Sequence, residues 1–130
     1  MKRLCVGILI AALVVVALAA CAEKNAVVDD TLNGKSAAIG SGGTLEVRLP
    51  SNPSTGYAWQ VLSVPGFMTQ DGPSEFKQGG AAGAVGASGI EVLRFTSKEG
   101  GSGTLKLEYR RSWETTTPAE KTYTLEVTSD

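Results

Sequence analysis

From Thr44 to Thr128, apolar side chains return at every second position in short runs, a period of two that suits half-buried strands and not helices. Thr44-Leu45-Glu46-Val47-Arg48-Leu49 shows the alternation plainly. Gly56 to Leu62 puts Tyr57, Trp59 and Val61 on one face, and Trp59, in step with core positions, is expected inside. Ile90 to Ser97 holds Ile90, Val92, Leu93 and Phe95, apolar enough for a central strand. Thr104 to Trp113 alternates through Leu105, Leu107 and Tyr109, and Lys121 to Thr128 through Tyr123, Leu125 and Val127. Pro50-Ser51-Asn52-Pro53, Pro65-Gly66, Asp71-Gly72-Pro73 and Gly100-Gly101-Ser102-Gly103 punctuate these runs as turns. Short alternating strands at this spacing predict an all-β, antiparallel sandwich or barrel.

The N-terminus follows other rules. Met1-Lys2-Arg3 is positive, Leu4 to Ala20 is apolar throughout, and Leu18-Ala19-Ala20 places small residues before Cys21. This is the layout of a secretory signal peptide, too short for a comfortable bilayer crossing. Leu18-Ala19-Ala20-Cys21 resembles the lipoprotein lipobox, which implies cleavage before Cys21 and a lipid on its thiol. The expected organisation is a signal over 1–20, a flexible tether over 21–38 and one folded domain over 39–130. A flexible tether of that length spans roughly 20–25 Å. The expected location is the cell envelope, outside the cytoplasm, with the membrane as partner through the lipid.

Composition excludes several functions. The chain has no histidine, which removes Ser-His-Asp and Cys-His catalysis and most metal sites. Of its two cysteines, Cys5 lies in the signal and Cys21 is the lipidation candidate, leaving no thiol for a disulfide or a nucleophile. Twelve Lys and Arg stand against thirteen Asp and Glu. Beyond the signal the basic residues are scattered, with Arg110-Arg111 the one adjacent pair, so no nucleic-acid partner is expected. No cofactor and no metal is implied, and a monomer that is not an enzyme is expected.

Two loops stand out. Gln78 to Gly89 is rich in Gly and Ala and too long for a hairpin turn. Arg110 to Ala119 sets Trp113 beside Thr115, Thr116, Thr117 and Pro118, and a long loop carrying an aromatic side chain is often a binding loop. A third, shorter segment is stiffer. In Asn52-Pro53-Ser54-Thr55-Gly56, Pro53 fixes its own φ and restricts Asn52, and Gly56 permits a left-handed turn, leaving the Ser54 and Thr55 hydroxyls facing out.

Taken together the three segments resemble the chagasin-like inhibitors of papain-family cysteine peptidases. That family carries an Asn-Pro-Thr-Thr-Gly loop, a Gly-x-Gly-Gly loop and an Arg-Pro-Trp loop. Asn52-Pro53-Ser54-Thr55-Gly56 matches the first, with Ser54 for a Thr. Gly86-Ala87-Ser88-Gly89 matches the second, with Ser88 for a Gly. Arg111-Ser112-Trp113 matches the third, with Ser112 for the Pro. Order and spacing agree over about residues 40–128. The resemblance implies an immunoglobulin-like sandwich with the three loops at one end. It also implies reversible, non-covalent inhibition, the first loop entering the peptidase cleft and the other two straddling it. Arg111 is expected either to orient its loop or to pair with a carboxylate of the peptidase. The departures at Ser88 and Ser112 imply weaker inhibition or a changed range of targets. A non-inhibitory envelope or adhesion lipoprotein on the same scaffold is the alternative.

Overall fold

A computed structural model of the protein describes residues 24–78 and 88–130. The expected signal segment, Cys21, and Gly86 and Ala87 of the second motif lie outside the described residues. Among the described residues nine strands follow in order: β1 (Ala26–Asp29), β2 (Lys35–Ile39), β3 (Thr44–Ser51), β4 (Tyr57–Ser63), β5 (Met68–Gln70), β6 (Glu75–Gln78), β7 (Gly89–Ser97), β8 (Gly101–Arg111) and β9 (Lys121–Ser129). They form two sheets. One runs β1-β3-β7, with β5 and β6 sharing the far edge of β7; the other runs β2-β9-β8-β4. Of the sandwich or barrel that the alternation leaves open, this is the sandwich, in the all-β, immunoglobulin-like form that the resemblance implies.

The period of two carries the core. Leu45, Val47 and Leu49 of β3, Leu93 and Phe95 of β7, Leu105 and Leu107 of β8, and Leu125 and Val127 of β9 are all buried between the sheets. Each such side chain contributes about 1.5–3 kcal/mol by leaving water, and the described residues include no cysteine to add a disulfide. Trp59, 7% exposed, lies in this core as its alternation implies.

The structure corrects the expected tether over 21–38. From Ala26 the chain is in strand: β1 pairs in parallel with β3, and β2 in parallel with β9. Val28 and Ile39 are buried. The Tyr123 hydroxyl donates to the Asp29 carbonyl at 2.9 Å. Asn33 ties the intervening turn to β9, its amide donating to the Thr122 carbonyl and its oxygen accepting from the Thr124 N–H, both at 3.0 Å. The folded domain therefore includes β1 and β2 and does not begin at residue 39. These edge strands are short and small-residue, each with one buried side chain, so they show no alternation to read.

Strand direction sets where the loops emerge. β3 ends at Ser51, which lies opposite Gly89 at the start of β7; Gly89 in turn lies opposite Gln78 at the end of β6. Arg111, at the end of β8, lies opposite Tyr57 at the start of β4. The β3–β4, β6–β7 and β8–β9 connections therefore all leave from one end of the sandwich.

Candidate functional site

The first loop is a single 3-10 turn over Pro53–Thr55. Pro53 stands near its start, where a fixed φ helps and a missing N–H costs nothing. The Gly56 N–H donates to the Pro53 carbonyl at 2.9 Å, and Gly56 takes φ 86°, ψ −5°, a left-handed conformation that any other L-residue adopts at a cost. The Ser54 hydroxyl donates to Asn52 Oδ1 at 2.6 Å and the Thr55 hydroxyl to the Asn52 carbonyl at 2.7 Å. This refines the expectation that both hydroxyls simply face outward: each is spent as a donor within the loop, and its oxygen stays available as an acceptor. The Asn52 N–H donates to the Tyr109 hydroxyl at 2.9 Å, fixing the loop to β8.

An aromatic stack supports that loop from below. Tyr57 stacks on Tyr109 with centroids 5.2 Å apart, Trp59 tilts against Tyr109 at 5.1 Å, and Tyr123 meets Trp59 edge-on at 6.4 Å. Such pairs contribute about 0.5–1.5 kcal/mol each beyond burial. The Trp59 indole N–H donates to the Pro50 carbonyl at 3.0 Å, so β3 and β4 enter the turn at a set separation.

Arg111 joins the first and third loops. Its Nε donates to the Thr55 carbonyl at 3.0 Å, and its guanidinium lies 4.6 Å from the Tyr57 ring centroid and 6.0 Å from that of Trp113. Nη1 pairs with Glu114 at 2.9 Å. The hydrogen bond from Arg111 holds the Glu114 carboxyl below the usual glutamate range. Of the two roles expected for Arg111, this geometry fits the orienting one, since Nε and Nη1 both bond within the chain. Arg110, which the motif does not include, braces the same loop. It pairs with Glu108 at 2.8 Å, and its Nη1 donates to the Glu114 carbonyl at 2.7 Å and the Thr117 carbonyl at 3.3 Å.

Trp113 is 67% exposed. It nonetheless has a seat. A Cβ placed on Gly56 would lie 2.5 Å from its Cη2, so the ring edge rests over the glycine. The Glu114 N–H donates to the Arg111 carbonyl at 3.1 Å, closing a β-turn with Ser112 in the second position. Proline is favoured there, and Arg111, in extended strand before it, has the conformation that proline demands. Ser112→Pro is therefore expected to raise the unfolding free energy by about 0.5–1 kcal/mol and tighten binding to a peptidase severalfold. Chemical denaturation and inhibition constants of the two proteins check this.

Of the second motif, Ser88 and Gly89 are described. No described residue other than glycine has positive φ, so Ser88 keeps an ordinary backbone and needs no glycine-like conformation. Gly89 is wanted for another reason. A Cβ there would collide with the Lys77 carbonyl oxygen of β6, so the glycine lets β6 and β7 close beneath the loop.

Sequence reasoning missed Glu91. It reads as one polar position in an apolar strand, yet it is only 4% exposed and faces the core. Its Oε1 accepts from the Ser51 hydroxyl at 3.1 Å and from the Trp59 N–H at 3.2 Å; its Oε2 accepts from the Ser74 hydroxyl at 2.7 Å. One buried carboxyl thus ties the end of β3, the start of β4 and the approach to β6, the strands that flank the first two loops. The signal available was a lone acid inside an apolar run, which must find donors when buried.

The sequence pattern of the chagasin family of peptidase inhibitors, I42, matches residues 38–127. The chain belongs to this family. It is similar to Amoebiasin-1 of Entamoeba histolytica, 32% identical over 95 residues that cover 73% of this chain and 90% of that one. It is similar to Chagasin of Trypanosoma cruzi, 31% identical over 90 residues that cover 62% of this chain and 76% of that one. Among solved structures, the crystal structure of the cysteine protease inhibitor EhICP2 from Entamoeba histolytica matches with a TM-score of 0.73 at 23% identity, covering 83% of this chain and 97% of that one. Chagasin-family membership makes the chain a cysteine peptidase inhibitor and not an enzyme, and decides against the non-inhibitory adhesion reading.

Proposed function

We propose that the protein inhibits papain-like cysteine peptidases reversibly and without a covalent bond, by seating the loop end of the sandwich in and around the active-site cleft. The observation that carries this reading is the Arg111 bridge, which unites Thr55, Tyr57 and Trp113 in one surface. A cleft is filled without cleavage when the entering loop is stiff and short. The Asn52–Gly56 turn meets that need: its hydroxyls are tied to Asn52, so little ordering is left for the moment of binding. Trp113, exposed and held at one side of that turn, offers a flat apolar face to a cleft wall, the type of contact that dominates many interfaces. The second motif, Gly86-Ala87-Ser88-Gly89, leads into β7 at the same end of the sandwich, where Gly89 lies opposite Ser51, and peptidase contacts are assigned to it on the resemblance.

Titration of papain and of a cathepsin L-type peptidase with residues 24–130 tests this; absence of inhibition by micromolar protein would overturn it. The truncation must begin at 24, because a start near 38 deletes β1. Thr55→Ala is expected to raise the inhibition constant about fivefold, removing one hydroxyl from the tip, with thermal unfolding almost unmoved because the hydroxyl is exposed. An unchanged inhibition constant would show that the Thr55 hydroxyl lies outside the contact surface.

The same reading keeps the protein outside the cytoplasm as a monomer, held at a membrane through lipid on Cys21. Its support is the apolar segment ending in Leu18-Ala19-Ala20-Cys21. Incorporation of a labelled fatty acid, abolished in Cys21→Ser, is the test.

A further inference from the structure

We infer that the anchored protein stands with its inhibitory end turned away from the bilayer, so that the peptidase it captures is a soluble one approaching from the aqueous side. The inference rests on the lipid-anchor reading above and adds to it a direction. β1 runs parallel to β3, Ala26 opposite Leu45 and Asp29 opposite Arg48. β3 runs from Thr44 toward Ser51 at the loop end. The chain therefore enters the sandwich at the opposite end. It is fastened there before the first strand begins: the Gly40 N–H donates to the Lys24 carbonyl at 2.9 Å, and the Thr44 N–H to the Asn25 side chain at 2.9 Å.

The distances then leave little freedom. Only Ala22 and Glu23 separate Cys21 from Lys24, and three residue steps reach at most about 11 Å. The end of the sandwich that holds Lys24 is confined beside the headgroups. The eight residues of β3 carry the inhibitory end about 26 Å further along the strand axis. A flexible 17-residue tether would let the domain turn either end to the membrane. A two-residue link to a fastened strand does not, since turning the Trp113 end down onto the bilayer would require Lys24 to move away from its own lipid by most of the domain's length. The raised end leaves both sides of the loop cluster open, as a peptidase needs when it covers about 800 Å² of a partner.

The full-length chain, processed in a lipoprotein-producing host and reconstituted into phosphatidylcholine–phosphatidylglycerol vesicles, provides the test. Ser41→Cys, in the turn beside Lys24, and Thr116→Cys, in the β8–β9 connection, are labelled separately with one fluorophore, and quenching by a lipid-borne acceptor is compared. Both positions are exposed. Quenching severalfold stronger at Ser41→Cys, with vesicle-bound protein inhibiting soluble papain as well as residues 24–130 do in solution, is the expected result. Equal quenching, or stronger quenching at Thr116→Cys, overturns the direction while leaving the anchor standing. Failure of the chain to take up fatty acid and to float with vesicles removes the anchor and the direction together. Correct quenching with inhibition lost on the vesicle overturns the soluble partner alone.

Discussion

Replacing Glu91 with leucine is expected to lower the unfolding free energy by about 3 kcal/mol, whereas Glu91→Gln loses under about 1.5 kcal/mol. Leucine fills the volume but abandons three donors. The Ser51 and Ser74 hydroxyls can rotate to other partners. The Trp59 N–H cannot, because β4 holds it pointing at the space the carboxyl occupied, and an unsatisfied buried N–H costs most of the total. Glutamine keeps a carbonyl oxygen for Ser51 and Trp59 and offers its NH₂ to the Ser74 oxygen. Urea denaturation of the two variants measures the difference, and equal stability of both would show that these hydrogen bonds do not hold the sheet together. Inhibition is expected to follow the same order, since Glu91 fixes the strands from which the first two loops spring.

What the sequence made legible follows from where side-chain pattern and structure obey the same rule. β3, β8 and β9 alternate cleanly because each has one face in the core and one in water. The two tryptophans were told apart by phase and by setting: Trp59 is in phase with Tyr57 and Val61, while Trp113 lies in a polar loop beside Thr115, Thr116 and Thr117 and in the Arg111-Ser112-Trp113 motif. The three loop motifs were visible because Pro, Gly and Trp carry conformational or binding meaning one residue at a time. β1 and β2 were not visible. Ala26–Asp29 and Lys35–Ile39 are held by backbone pairing to strands already in place, by Asn33 and by Tyr123, so their own side chains need say little. Glu91 was hidden for the opposite reason. Its meaning depends on Ser51, Trp59 and Ser74, each remote in sequence, and only the folded sandwich brings them to it: the register of β3 against β7 supplies Ser51, β4 of the facing sheet supplies Trp59, and the approach to β6 supplies Ser74. Arg111 lay between: the motif named it, and only the structure showed that its guanidinium turns inward to Thr55, Tyr57 and Glu114.

The contact between Gly56 and Trp113 gives the largest expected change in inhibition. Trp113→Ala is expected to weaken inhibition about 30-fold, a loss of about 2 kcal/mol typical of an exposed anchor tryptophan, with the fold intact because the ring buries little in the free protein. Gly56→Ala acts on the same ring from outside. The new methyl would sit 2.5 Å from Cη2, so the indole must swing off its seat, and the left-handed φ of 86° adds about 1 kcal/mol of backbone strain. Inhibition is expected to weaken about tenfold, equivalent to about 1.4 kcal/mol. The two effects separate in the double variant. With Trp113 already alanine, the methyl on Gly56 has no ring to displace, so the further loss of inhibition is expected to be small, while the loss of stability from the strained turn persists in full. The resulting coupling, about 1 kcal/mol in binding and near zero in unfolding, would identify Gly56 as the seat that orients Trp113. Additive losses of inhibition would mean that the indole finds its place against the peptidase without help from the glycine beneath it.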